Sequence, residues 1–235
     1  RSVGDKLVAI YPMYFGDRSI ASKTISGPGM ATATWSYAYS TLTPSWAPCA
    51  AGCTPTKTVT VSDPTNVVTR HTFGTRYANN EGQVLQLDEG YSSGTAWRST
   101  SYRYRSHMAG PYPAPVGTSP DQRSDHFGGM YHQPLDQKVI TQQGTSFTWL
   151  ANAFDVHARV TSATSSSSLG YSRTMGTAYY DHLGKWVMGQ LTSTTEASTG
   201  RAPESHTYDA ATANRTASYE FGLLKSSFGY HADGT

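Results

Sequence analysis

The sequence predicts an all-β fold in which antiparallel hairpins lie side by side in one curved or spiralling sheet. Three features lead to this prediction: apolar and polar residues alternate with a period of two, turn residues separate the alternating runs, and an aromatic–acid pair recurs late in the chain. Successive side chains of a strand point to opposite faces, so this alternation indicates strands with one packed and one solvated face. Gly, Pro, Ser and Thr interrupt the windows that would otherwise suit a helix.

The alternating runs place aromatic and β-branched residues on one side of each predicted strand. In the first run, Trp35, Tyr37 and Tyr39 alternate with smaller residues. Further along, Asn79-Asn80-Glu81-Gly82 predicts a hairpin, because Gly82 can take a positive φ. The other runs that we predict as strands carry Val59 and Val61, Tyr102 and Tyr104, and Ala217, Tyr219, Phe221 and Leu223 on their packed side.

The bulk composition favours a folded chain and argues against several kinds of partner. Aromatic residues make up 12% of the chain and charged residues only 14%, a balance that disordered chains do not have. The net charge is +2 and the Lys and Arg residues are scattered, so we expect no nucleic-acid partner. No run approaches the ~20 apolar residues of a transmembrane helix, so we expect no membrane span.

Composition also divides the chain into three segments. Residues 1–108 are predicted to be β-rich, with a Pro- and Cys-containing loop near 44–56. Residues 109–133 are rich in Pro and Gly and are expected to form a long surface loop. Residues 134–235 are expected to hold the repeated hairpins.

The two cysteines, Cys49 and Cys53, stand four positions apart in the first of these loops. They can form a short-loop disulfide in an oxidising compartment, and two free thiols are the alternative. Two cysteines without a His pair beside them do not make a four-ligand zinc site. We therefore expect no bound metal, and no motif in the chain calls for a cofactor.

A repeated aromatic–acid corner dominates the last third of the chain. The corner occurs as Phe154-Asp155, Tyr180-Asp181 and Tyr208-Asp209, and a fourth aromatic, Tyr230, has His231 after it. The leading aromatics are 26, 28 and 22 residues apart, a spacing suited to one hairpin per unit. A lone hairpin is marginally stable, so consecutive units must pair edge to edge and bury their faces together.

Each part of the corner has a physical role in such a hairpin. The aromatic packs on the sheet, and the Asp accepts hydrogen bonds from turn N–H groups two or three residues on. A Gly lets the chain reverse, and a basic residue opens the returning strand. The residues assigned to these structural roles are Phe154, Asp155, Arg159, Tyr180, Asp181, Gly184, Lys185, Tyr208, Asp209, Tyr230 and Gly234.

These residues resemble the YD-repeat family, also called Rhs repeats. Its consensus is an aromatic–Asp pair, two variable residues, a Gly and a basic residue, followed by a β-rich run. The unit at 180–185 matches best, the unit at 154–159 has Phe for Tyr and Ala for Gly, and the unit at 208–215 has a stretched turn. The specific match covers residues 150–235, about a third of the chain.

The resemblance implies a β-strand spiral that closes into a hollow shell. Members of the family are generally long bacterial secreted or surface proteins, and many enclose a toxic domain or act in adhesion. The resemblance therefore implies a non-catalytic wall segment whose partners are the neighbouring repeats and an enclosed domain of the parent protein.

Two other functional classes stay open on the sequence. Exposed aromatics, with Trp35, Tyr37 and Tyr39 as the candidates, would suit a carbohydrate-binding or adhesion module with a glycan partner. A hydrolase would need a His–acid pair beside a nucleophile, but the sequence has no G-x-S-x-G elbow, and we expect no enzyme. The imidazoles considered for such a site are those of His126, His132 and His157.

Overall fold

The computed structural model describes residues 19–40, 54–76, 80–113, 116–118, 128–130 and 132–231, and the two three-residue segments are described only as strands. The predicted disulfide between Cys49 and Cys53 lies outside the described residues, and so does Gly234. Within the described ranges, no helix is long and apolar enough to cross a membrane.

The prediction of an all-β fold built from antiparallel hairpins is confirmed. Within the described ranges, fourteen strands form one open antiparallel sheet, and two short strands form a separate ribbon. The strands are β1 (Ser22–Gly27), β2 (Met30–Tyr39), β3 (Thr56–Ser62), β4 (Val68–Gly74), β5 (Val84–Glu89), β6 (Arg98–Tyr104), β7 (Val116–Thr118), β8 (Gly128–Met130), β9 (Leu135–Gln142), β10 (Thr145–Phe154), β11 (Val160–Ser167), β12 (Ser172–His182), β13 (Val187–Glu196), β14 (Glu204–Tyr208), β15 (Arg215–Glu220) and β16 (Leu223–Ser227).

Strand order in the sheet follows chain order, because each strand pairs with the one before it and the one after it. The exception is the β7–β8 ribbon, which lies outside the sheet, so that β6 pairs directly with β9. One sheet therefore runs through both the 1–108 and the 134–235 segments.

The two faces of the sheet differ in chemistry, as the alternation predicts. Residues that pair across antiparallel strands share a face, so the register traces each face from strand to strand. On the aromatic face, one row joins Tyr39, Val59, His71, Leu87, Thr100, Ile140 and Phe147. On the opposite face, which we call the hydroxyl face, one row joins Thr58, Thr72, Gln86, Ser101, Val139, Thr148, Ser166 and Ser172.

The best-buried apolar cluster lies where the segment after β6 folds onto the sheet. Tyr112, Ala151 and Phe154 are buried together, and the rings of Tyr112 and Phe154 meet edge to face with centroids 6.2 Å apart. The prediction of a plain surface loop over 109–133 is wrong at this point, because Tyr112 belongs to the core. Pro and Gly content indicates an irregular backbone, but it does not say whether one large ring in the segment is buried.

The predicted strand from Ala217 through Leu223 is divided in two. Phe221 and Gly222 take positive φ angles of 49° and 81° and form a two-residue turn between β15 and β16. The apolar alternation continues across this turn without a break in period, so the pattern alone could not locate it. Gly222 is the residue whose conformational freedom permits the reversal.

The connections between strands lie alternately at the two ends of the sheet. At one end, which we call the Asp-turn end, lie the β10–β11, β12–β13 and β14–β15 turns together with the long β6–β9 connection. The other end has the two-residue reversals Gln143-Gly144 and Phe221-Gly222 together with the longer β5–β6 and β13–β14 connections. The predicted repeat corners therefore all lie at the same end of the sheet.

Candidate functional site

The Asp155 turn has the geometry that the sequence predicts for a turn carboxylate. Oδ1 of Asp155 accepts hydrogen bonds from the backbone N–H groups of His157 and Arg159, both at 2.9 Å. Ala158 occupies the position of the consensus Gly and takes the left-handed conformation, with φ of 61°. Partial burial favours the neutral acid, but the hydrogen bonds and charge of Arg159 hold the pKa of Asp155 below its ordinary value.

The Asp209 turn is one residue longer but uses the same chemistry. Oδ1 of Asp209 accepts hydrogen bonds from the N–H groups of Ala211 at 3.0 Å and Thr212 at 2.7 Å, and from the Thr212 hydroxyl at 2.8 Å. The Thr212 hydroxyl and amide hold the pKa of Asp209 below its ordinary value. Ala213 is the left-handed residue here, with φ of 65°.

A third turn of this kind, between β3 and β4, was not singled out from the sequence as an aspartate corner. Oδ1 of Asp63 accepts hydrogen bonds from the N–H groups of Thr65 and Val67, both at 2.8 Å, and Asn66 takes φ of 65°. It lies at the opposite end of the sheet and follows Ser62 instead of an aromatic residue. The signal that could have found it is the Asp-Pro-Thr-Asn sequence, which favours such a turn without any aromatic.

Asp181 differs from this expectation, because it joins two hairpins instead of holding its own turn. Arg159 donates from Nη1 and Nη2 to the two oxygens of Asp181, each at 2.7 Å, and from Nε to Asp155 at 2.7 Å. Asp181 also accepts the Gly189 N–H at 2.7 Å. Asp155, Arg159 and Asp181 therefore form one ionic network, which we call the Arg159 clasp, between the β10–β11 and β12–β13 hairpins.

The reversal after Asp181 is made by residues other than those predicted. Leu183–Lys185 form a short 3₁₀ turn, and Nδ1 of His182 accepts the Lys185 N–H at 3.0 Å. Trp186, and not Gly184, takes the left-handed conformation, with φ of 57°. Lys185 lies inside the 3₁₀ turn and does not open β13, which begins at Val187.

An aromatic residue marks the Asp-turn end of every second strand of the described sheet. In five cases it is a Tyr whose hydroxyl donates to a carbonyl of the preceding strand or, for Tyr39, of the second residue before that strand. The bonds run from Tyr39 to Ile20, Tyr104 to Val84, Tyr179 to Val160, Tyr208 to Leu191 and Tyr230 to Arg215, at 2.9, 3.2, 3.1, 2.6 and 2.9 Å. Phe73 and Phe154 hold the corresponding places in β4 and β10.

We call these seven residues the anchor aromatics. Their pattern extends into residues 1–108, where no aromatic–Asp pair stands in the sequence. In the second unit the hydroxyl contact belongs to Tyr179, while Tyr180 stacks on Tyr208 of the next hairpin with centroids 5.2 Å apart and planes 4° from parallel. Both tyrosines of this unit therefore join it to a neighbour.

Tyr208→Phe is expected to lower the stability of the β13–β15 region by about 1 kcal/mol, because it removes one hydroxyl–carbonyl hydrogen bond and keeps the ring. Urea unfolding and amide hydrogen exchange would measure the change. Tyr171→Phe is the matched control, because Tyr171 is exposed and loss of its hydroxyl is expected to leave the stability unchanged. Equal effects of the two substitutions would contradict the anchoring role of Tyr208.

Acid is expected to weaken the Arg159 clasp. The Arg159 guanidinium, followed by the Gly189 amide, lowers the pKa of Asp181 from 3.8 to about 2. A carboxyl whose pKa is depressed by folding stabilises the folded state above its unfolded pKa, and this contribution is lost as the pH falls towards 2. Urea unfolding should show that the free energy of unfolding falls by on the order of 1–2 kcal/mol between pH ~5 and ~2. In Arg159→Met this dependence on pH should be weaker. An unchanged pH profile in that variant would contradict this account.

The three aromatics proposed for glycan contact take part in the sheet itself. Trp35 and Tyr37 are half-buried on the aromatic face, and Nζ of Lys23 lies 5.5 Å from the centroid of the Trp35 ring. The Tyr39 hydroxyl is bonded to the Ile20 carbonyl. Packing and anchoring therefore account for the positions of these side chains.

The structure brings together one set of side chains that resembles a hydrolase relay. His206 is buried, with Nδ1 3.1 Å from the Ser218 hydroxyl and Nε2 2.9 Å from a carboxylate oxygen of Glu204. Ser218 lies in the middle of β15, which pairs with both β14 and β16, with a register shift between Ser218 and Tyr219. These contacts give both ring nitrogens of the buried imidazole a hydrogen-bond partner.

The histidines that the sequence suggested for a hydrolase lie elsewhere. His132 tilts onto the ring of Tyr112 with centroids 5.7 Å apart, and Nε2 of His157 is 3.9 Å from Asp181 beside the Arg159 clasp. His126 lies outside the described residues. Among the residues that the structure describes, neither His132 nor His157 has a serine side chain as a hydrogen-bond partner.

Comparison with known proteins gives no assignment. No protein-family model matches the chain, and no curated protein matches it.

Proposed function

We propose that this chain is a non-catalytic segment of a secreted or surface wall of the YD-repeat (Rhs) type, which encloses or presents another domain of a larger protein. The observation that carries the proposal is the regular recurrence of the anchor aromatics along the sheet. A wall needs each hairpin to be fixed to its neighbours, and the five tyrosine contacts join neighbouring strands at five places in the described sheet.

The contacts between hairpins support the same role. The Arg159 clasp and the Tyr180–Tyr208 stack each join side chains of different hairpins. Their groups are saturated by one another: both oxygens of Asp181 and three nitrogens of Arg159 are engaged. Side chains occupied in this way suit a scaffold better than a site that must receive a substrate.

Electron microscopy of the full-length protein that carries this chain tests the proposal. We expect residues 19–231 to form part of a continuous β-sheet wall around an interior that holds another part of the protein, or beneath a presented domain. A separate compact lobe outside any shell would contradict the proposal.

An assay for catalysis tests the non-enzymatic part of the proposal. Wild-type protein and Ser218→Ala are compared on ester, peptide and glycoside substrates, with urea unfolding as the check on stability. We expect no turnover by either protein. Turnover that disappears in Ser218→Ala at unchanged stability would make the Ser218, His206 and Glu204 relay an active site.

A further inference from the structure

Trp97 is an exposed aromatic ring held in a fixed place. The residue is 70% exposed, so burial of its ring contributes little to the fold. It lies against Gly90, where a Cβ would come within 2.1 Å of the indole ring. Gly90 therefore serves as a flat support beneath part of the ring, and the remainder faces solvent.

The β5–β6 connection that carries this ring is preorganised. Ser92 and Thr95 exchange two backbone hydrogen bonds at 2.8 and 2.9 Å. The Trp97 N–H donates to the Glu89 carbonyl, and the Tyr91 N–H donates to the Val68 carbonyl of the neighbouring strand. A connection fixed in this way loses little conformational entropy when a ligand binds.

Beside Trp97 a cleft opens on the hydroxyl face, between the β5–β6 connection and the β9–β10 turn. Its volume is about 230 Å³, below the ~300–1,000 Å³ typical of drug-sized ligands, so it suits a single ring. Its walls include Tyr91, Ser99, Gln142 and Gln143. Among the described residues, the carboxamide of Gln143 makes no hydrogen bond, so it can donate to and accept from a ligand.

The cleft is electrically balanced. The two charged residues among its walls are Arg70 and Asp88, which pair at 2.7 Å. The other oxygen of Asp88 accepts from Gln86 and Ser99, at 2.8 and 2.7 Å. With both charges neutralised by each other, the cleft has no net attraction for an ionic ligand.

We propose that this cleft, the Trp97 cleft, binds a neutral pyranose unit of a glycan. A pyranose ring has one face of C–H groups, which packs favourably on the electron-rich face of an indole. Its hydroxyls match the amide donor and the carbonyl acceptor of the Gln143 carboxamide. The proposed carbohydrate site is therefore at Trp97 and not at Trp35, Tyr37 and Tyr39, as the sequence suggested. This proposal does not depend on the proposed wall function.

Calorimetric titration with chitotetraose, cellotetraose and maltotetraose tests the proposal. At least one of these neutral sugars is expected to bind the wild-type protein. Trp97→Ala should weaken that binding about tenfold or more, because the stacking surface is lost. Gln143→Ala, which leaves the ring in place, should weaken it by a smaller factor.

Trp186→Ala is the matched control, because Trp186 is also highly exposed but lies at the Asp-turn end, away from the cleft. It is expected to keep wild-type affinity. The proposal is overturned if none of the three sugars binds, if Trp97→Ala binds as well as wild type, or if Trp186→Ala causes the same loss. Failure of these titrations would leave the shell seen by electron microscopy unaffected, so the two proposals can be separated.

Discussion

Arg159→Met is expected to lower the stability of the β10–β13 region by about 2–4 kcal/mol, because it leaves two partly buried carboxylates without their common partner. Arg159 donates three hydrogen bonds to Asp155 and Asp181 from a side chain that is 22% exposed. Its removal also places two negative charges near each other. Amide hydrogen exchange in β10–β13, together with urea unfolding, would measure the loss.

The matched control for this substitution is Arg173→Met. Arg173 also pairs across strands, with Glu196 at 3.1 Å, but its side chain is 54% exposed. An exposed ion pair contributes at most about 1 kcal/mol, so the control should be mild. If both substitutions cost the same, the Arg159 clasp is an ordinary surface pair and does not join the two hairpins.

Phe154→Ala is expected to lower the free energy of unfolding by about 3–4 kcal/mol, because it opens a cavity in the best-buried apolar cluster. The Phe154 ring contacts Tyr112 edge to face, and the Arg105 guanidinium lies 4.7 Å from its centroid. Loss of the ring should therefore loosen the segment after β6 as well as the β10 strand. Urea unfolding and limited proteolysis of residues 105–113 would show both effects.

Phe147→Ala provides the comparison for this prediction. Phe147 lies in the same strand but is 48% exposed on the aromatic face, so its loss should cost only about 1 kcal/mol and leave residues 105–113 protected. A loss as large as that of Phe154→Ala would show that the cluster around Tyr112 is not the main core of this part of the sheet.

The features that depend on local pattern could be predicted from the sequence. Alternation located β2, β3 and β6, and the aromatic–acid corners located the turns at Asp155 and Asp209. Each of these features is decided by residues within one strand or one turn. The turn at Phe221 was not predicted, because a two-residue reversal preserves the period of the alternation.

The features that depend on contacts between hairpins could not be predicted. The partner of Arg159 lies 22 residues on, and it is set by the register between β11 and β12. Tyr112 reaches the core only because its segment folds back onto β10. Tyr179 anchors to β11 and Tyr180 stacks on β14, and which tyrosine does which depends on these contacts with different hairpins.

The order of the strands in the sheet, which follows their order in the chain, determines how the protein unfolds. Each strand is hydrogen-bonded to its neighbours in sequence, except that β6 pairs with β9 because β7 and β8 lie outside the sheet. The sheet is therefore held together by a series of contacts between adjacent strands. A broken link separates two shorter sheets, and each keeps its own internal pairings. Local unfolding at one strand pair should therefore leave the other strand pairs of the sheet intact.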